Sequence, residues 1–131
     1  MRLWHEALIP YLPRQQLLGL HREVCALRGL GWGKKHATVN YVFEHPYGWL
    51  VAYHAQVMEE MIHRGYQPDE KWWDARYRGK RCKPKVYLPV IEPIEKIFDG
   101  EVYPEHDAAY LQECLDNLAG KGIHIDMGAK K

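Results

Sequence analysis

The segment Pro13–Gly29, PRQQLLGLHREVCALRG, decides how this chain folds. Proline suits the first position of a helix, where its fixed φ and missing N–H do no harm, and glycine suits the stop. A helix is therefore predicted from about Pro13 to Arg28. At 100° per residue, Leu17, Leu20, Val24 and Leu27 fall on one apolar stripe that needs a core to cover it. A neighbouring face carries Gln15, Gln16, Gly19, Arg22, Glu23 and Ala26, an open and polar surface. Gly19 costs a helix roughly 1 kcal/mol relative to alanine, which suggests close approach by a second helix or by a ligand.

Ahead of this helix lies a short arm, and behind it a Gly-rich turn ends in the basic knot Lys34-Lys35-His36. A short helical segment is expected around Ala37–Phe43. A second long helix is expected from Pro46 to Arg64, stopped by Gly65, with the broad apolar arc Trp49, Leu50, Tyr53, Val57, Met58, Met61 and Ile62 marking it as the central one. Residues 70–92 lack helical periodicity; Val86-Tyr87-Leu88 reads as extended, and Pro84, Pro89 and Pro93 favour an irregular crossing over a sheet. A last helix is expected over Pro104–Ala119, with Glu105 and Asp107 in its first turn and Gly120 closing it. The tail Ile123–Lys131 reads as frayed. The fold class is thus all-α: a compact single domain over residues 1–131, with three long helices joined by irregular basic and Pro-rich segments.

A chain of 131 residues can bury a core without staples, and 47% hydrophobic with 27% charged residues is ordinary for a soluble globular protein. No apolar run is long enough to span a bilayer, and Trp4-His5-Glu6 and Pro10 interrupt anything like a signal peptide. Cys25, Cys82 and Cys114 are scattered and odd in number, which reads as reduced thiols in a cytoplasmic protein. The net charge of +1 hides an asymmetry: residues 1–86 carry 14 cations against 8 acids, residues 87–131 carry 4 against 9. One part of the chain can meet a polyanion while the other keeps away from it.

The second notable stretch is Lys71–Lys85, KWWDARYRGKRCKPK, with seven cations and one acid interleaved with Trp72, Trp73 and Tyr77. Cations neutralise phosphates and aromatic faces stack on exposed bases, so this is the composition of a nucleic-acid contact loop; a solvated loop with its tryptophans tucked inward is the plainer reading. Arg76, Arg78, Lys80 and Arg81 are its candidate contacts, and Arg28, Lys34, Lys35 and His36 extend the basic surface. The eight histidines do not suggest a metal. His54 and His63 are nine residues apart, about half a turn out of phase on a helix. His21 and Cys25 share a face but have no second ligand pair in view, HExxH is absent, and the His106-Asp107 dipeptide is a very weak signal. No metal and no organic cofactor is expected.

The order of arm, Pro-started helix, Arg22-Glu23, Gly-rich turn and Lys-His knot resembles the small phage-type pyrimidine-dimer DNA glycosylases, the endonuclease V family. Leu12, Gln15, Leu17, Arg22 and Glu23 fall in that family's spacing and order. Likeness is densest over residues 10–36 and recurs in MEEMIHRGYQPD (58–69) and YPEHDAAYLQECLDNL (103–118). The family fold is a compact helical domain. The resemblance implies a repair enzyme that cuts the glycosyl bond of the 5′ base of a cyclobutane pyrimidine dimer, then breaks the backbone by β-elimination through an imine. Its nucleophile would be the N-terminal α-amine, with Glu23 assisting, on double-stranded damaged DNA, in a monomer associated with the nucleoid. An α-amine titrates near 7.7–8.0 and a lysine near 10.4, so it offers roughly 300-fold more of the nucleophilic form at neutral pH. The phage enzyme exposes a threonine followed by arginine. Here the chain begins Met1-Arg2, and Arg2 matches that arginine when the Met1 amine takes the nucleophile's place. Gln15 and Arg22 join Arg2 as expected DNA contacts. Alternative readings are a non-catalytic nucleic-acid-binding module and a relative acting on another lesion.

Overall fold

The computed structural model describes residues 3–34, 39–80, 82 and 102–125. Among the described residues, three α-helices, α1 (Arg14–Arg28), α2 (Tyr47–His63) and α3 (Ala108–Gly120), are accompanied by 3-10 helices at Glu6–Tyr11, Asn40–Glu44 and Glu70–Trp73. No strand occurs among the described residues. No helix among them is long and apolar enough to cross a membrane.

Helix α1 begins where the sequence places it, with Pro13 as its N-cap, and ends at Gly29, whose N–H bonds to the carbonyls of Cys25 and Ala26. Glycine is needed there for space: a Cβ on Gly29 would lie 2.8 Å from the backbone oxygen of Arg78. Leu17, Leu20, Val24 and Leu27 are all buried, as the stripe requires, and α1 packs on α2. In α2 the residues Leu50, Tyr53, Val57, Met58 and Met61 are buried, and Gly65 follows with φ +91°, the left-handed conformation that favours glycine. Trp49 is only partly buried, and Ile62 departs further: it is 52% exposed, because the buried arc swings to Val51, Ala52 and His54 while the last turn of α2 overhangs the surface beside Trp73.

The arm is more ordered than its length suggests. Leu3, Trp4, Leu8, Ile9 and Leu12 are buried, and a 3-10 helix runs through Pro10 with the His5 ring accepting the Ala7 N–H at 3.0 Å. Two tyrosines from other helices clamp its start: Tyr110 donates to the Leu3 carbonyl at 2.6 Å, and Tyr53 to the Trp4 carbonyl at 2.5 Å. Glu6, buried, accepts the Val102 N–H at 2.8 Å and pairs with Nδ1 of the buried His106.

That last contact explains why α3 starts four residues later than expected. Val102, Tyr103 and His106 are buried against the arm, held off the helical path by Glu6, and the helix begins only after Asp107, which caps it by accepting the Tyr110 N–H at 2.9 Å. Glu105 therefore lies outside the helix and meets His45 at 3.0 Å. The start of the tail is not frayed: Ile123 and Ile125 pack on the core, and the Ile123 N–H bonds to the Leu118 carbonyl at 2.9 Å. Of the expected helical segment near Ala37–Phe43, residues 37 and 38 lie outside the described residues and residues 40–43 fall in the 3-10 turn Asn40–Glu44; the aperiodic stretch from Glu70 opens with one 3-10 turn capped by Asp69. The expectations for Val86–Leu88, for the neighbouring prolines and for residues 126–131 fall outside the described residues.

Arg28 departs most from the sequence reading. Placed there on a basic surface, it is 0% exposed. Its guanidinium donates to the carbonyls of Trp72 (2.8 Å), Asp74 (2.9 Å) and Tyr77 (3.0 Å), to Nδ1 of His54 (2.9 Å) and to the Tyr47 hydroxyl (3.3 Å). Arg78 returns the tie, donating to the carbonyls of Arg28 at 2.8 Å and Gly29 at 3.0 Å. Replacing Arg28 with methionine orphans several buried acceptors and should cost at least about 3 kcal/mol. Arg28→Lys should recover little, because an ammonium cannot span the forked set. Urea denaturation measures both; a loss below about 1 kcal/mol would show the loop is held by other means.

Candidate nucleic-acid interface

The outer face of α1 is the surface the helix leaves after burying its leucine stripe. Gln15 and Arg22 are exposed and help line a shallow depression at the helix's first half; Glu23 is half-buried at the edge of the stripe. A Cβ on Gly19 would meet only the end of the Arg22 side chain, at 3.8 Å. No second helix among the described residues presses on Gly19, so its missing side chain leaves open surface. Ala26, about two turns beyond Gly19 on the same face, lies on a second groove with Leu30, Trp72, Gly79 and Lys80.

The structure sorts the basic-aromatic loop into two kinds of residue. Trp72 is half-buried: its ring lies 5.0 Å from the Arg28 guanidinium, 4.7 Å edge-on from Tyr77 and 5.6 Å from His54. Arg78 is spent on the end of α1, and its guanidinium also sits 6.0 Å from the Tyr47 ring. These two, with Arg28, fasten the loop. Lys34, Arg76 and Lys80 are exposed, and the Arg76 guanidinium makes a loose 3.5 Å pairing with exposed Asp74, worth little in water. Trp73 is 42% exposed but turns to a different depression, shared with Ile62, Asp69 and Glu70, so the two tryptophans do not form one stacking platform. Met1, Arg2, Lys35, His36 and Arg81 lie outside the described residues.

Two polar clusters, one buried and one partly buried, escaped the sequence reading. In the first, the Glu6 carboxylate takes His106 Nδ1–H, which leaves Nε2 to accept the Tyr41 hydroxyl at 2.5 Å. Burial raises the Tyr41 pKa well above its ordinary range, so that hydroxyl keeps its proton. The signal was present in the sequence, as a lone acid within the apolar arm. In the second, His54 Nε2 lies 2.8 Å from His21 Nδ1, with Cys25 Sγ 3.8 Å from the former. Burial lowers the pKa of both histidines and pushes the Cys25 thiol up to about 12. His54 was set against His63 when histidine spacing was weighed, and its partner across the helix interface could not be read from one helix.

Comparison with known proteins adds one finding. The family model described as pyrimidine dimer DNA glycosylase matches residues 1–74, which take in the arm, α1, α2 and the turn that carries both tryptophans. No curated protein and no solved structure matches the chain. The open surface at Gly19 has its own consequence: Gly19→Ala should stabilise the fold by about 0.5–1 kcal/mol, since alanine is the better helix former and its Cβ meets no obstacle. Urea denaturation of the variant checks this; destabilisation would mean that the face is covered.

Proposed function

The chain belongs to the pyrimidine dimer DNA glycosylase family, and on that premise we propose that it excises cyclobutane pyrimidine dimers from duplex DNA through an imine with its own N-terminal amine. The observation that carries this reading is the family match over residues 1–74, the part that contains Arg22-Glu23 and the clamped arm. The flipped nucleotide meets the outer face of α1, where Gly19 leaves room and Arg22 offers a cation. The α-amine of Met1 attacks C1′ of the 5′ nucleotide of the dimer. The C1′–N bond breaks and the base leaves with a proton; opening of the sugar ring gives an imine between C1′ and the amine nitrogen. Loss of a C2′ proton then expels the 3′ phosphate, and water releases the sugar remnant from the amine. Glu23 stabilises the cationic sugar as the glycosyl bond breaks, and carries protons in the later steps.

The tyrosine clamp supports this assignment in physical terms. Catalysis by an amine at a chain end requires that the end not wander, since productive attack demands placement to within a fraction of an ångström. Leu3 is buried and its carbonyl is held by Tyr110, so only two residues separate a fixed point from the nucleophile. Arg2 and Gln15 flank the same reaction as DNA contacts. Lys34, Arg76 and Lys80, the exposed cations, together with Lys35, His36 and Arg81, bind phosphates without reading sequence, while Arg28, Arg78 and Trp72 act indirectly by holding the loop.

A duplex bearing one defined thymine dimer tests this. Glu23→Gln should bind it within a few-fold of wild type yet excise at least about 10²-fold more slowly; an unchanged rate in a folded variant removes Glu23 from the mechanism. In the same binding series, reversing the charges of Arg76 and Lys80 should flatten the salt dependence by roughly two units of slope. An unaltered slope would mean that the loop does not touch the phosphates.

A further inference from the structure

We propose that His21, Cys25 and His54 form a zinc-binding site that ties α1 to α2. The three donor atoms lie within 4.8 Å of one another. His54 Nε2 to His21 Nδ1 is 2.8 Å, and Cys25 Sγ stands 3.8 Å from the first and 3.9 Å from the second. Zinc bond lengths set in a tetrahedron give edges of about 3.3 Å between two nitrogens and about 3.6 Å between nitrogen and sulfur. The observed triangle is thus close to one face of that tetrahedron, and small side-chain rotations complete it. A spacing of four places His21 and Cys25 on one side of α1, and α2 supplies the third ligand from its buried face.

The chemistry of the set favours zinc over a hard cation. Two imidazoles and a thiol, with no carboxylate among the three, suit a borderline-soft ion and not magnesium or calcium. Cys25 also lines an open surface groove, which leaves room for a fourth ligand such as water.

The proton account is simple. Arg28 can only donate, so His54 Nδ1 is the acceptor of that bond and the ring proton sits on Nε2, shared with His21. Binding moves this proton to Nδ1 and releases the Cys25 thiol proton to solvent. The Arg28–His54 hydrogen bond is given up, while Arg28 keeps its bonds to the Trp72, Asp74 and Tyr77 carbonyls. The two N–H groups then face each other as donors and must move apart, a local cost set against three converging ligands.

This site is separate from the glycosylase chemistry. His21 and Cys25 are each two residues from Glu23, about 160° away around the helix axis, so they leave α1 on the side opposite Glu23. The ion therefore fixes the position of α1 on α2 and takes no part in the attack on the sugar.

The test uses the whole chain and no DNA, so its outcome is independent of the proposed repair activity. Protein stripped by chelator is titrated with Zn2+ and, separately, with Co2+. About one equivalent of zinc should bind, the cobalt form should show the intense visible bands of tetrahedral coordination with a thiolate charge-transfer band, and zinc should raise the melting temperature by roughly 5–10 °C. Cys25→Ser and His21→Asn should each weaken binding at least about 100-fold, more than loss of an outer-shell partner costs. A wild-type protein that binds no zinc, or whose cobalt form has the pale spectrum of octahedral coordination, overturns the proposal even if neither variant folds. So does undiminished zinc affinity in the two variants.

Discussion

A buried guanidinium at the end of α1 is the constraint on which the arrangement of this protein rests. Moving a charge out of water is costly, and it persists only where hydrogen bonds replace the lost hydration. Arg28 meets that condition by placing its donors on three carbonyls of the 72–77 segment, on His54 and on Tyr47. Those acceptors belong to α2 and to the loop that follows it. One side chain therefore sets how α1 ends, how it lies on α2, and how a loop rich in cations stays folded against both. The return contacts from Arg78 to the last carbonyls of α1, and the glycine that lets the two backbones meet, complete a closed tie.

The other end of α1 is fixed by a different device. The arm is held by tyrosine hydroxyls on its carbonyls and by the Glu6–His106 pair, which draws the segment before α3 across the arm. Parts of the chain a hundred residues apart thus converge where the chain begins. Under the proposed attack by the terminal amine, this clamping of Leu3 and Trp4 has a functional meaning that core packing alone does not require.

Much of this was legible in the sequence because it follows from local rules. Pro13 and Gly29 bound α1, the leucine stripe names its buried side, and Pro46 and Gly65 bracket α2. The open face around Gly19, Arg22 and Glu23 was visible for the same reason, as was the family likeness that the matched model supports. What escaped was tertiary. A helical arginine near a basic knot looks like surface, and only the approach of the 72–77 carbonyls makes burial affordable. Trp72 and Trp73 are adjacent in sequence but point to opposite environments, one on Arg28 and one beside Asp69 and Glu70. Asp107 looked like a first-turn acid and is the cap, because Glu6 holds the preceding residues out of the helix. His54 and His21 lie 33 residues apart, and no periodicity within one helix could pair them.

The central claim is that this chain attacks damaged DNA with its own terminal amine, and the adduct itself can be interrogated. Protein incubated with dimer-containing duplex in the presence of borohydride would be digested, and the peptide carrying the reduced sugar remnant identified by mass spectrometry. The account predicts a single modified peptide, the one bearing Met1, with the added mass on its α-amine. Adduct mass on Lys34, Lys35 or any other lysine, or no covalent adduct at all while the dimer is still excised, would contradict it.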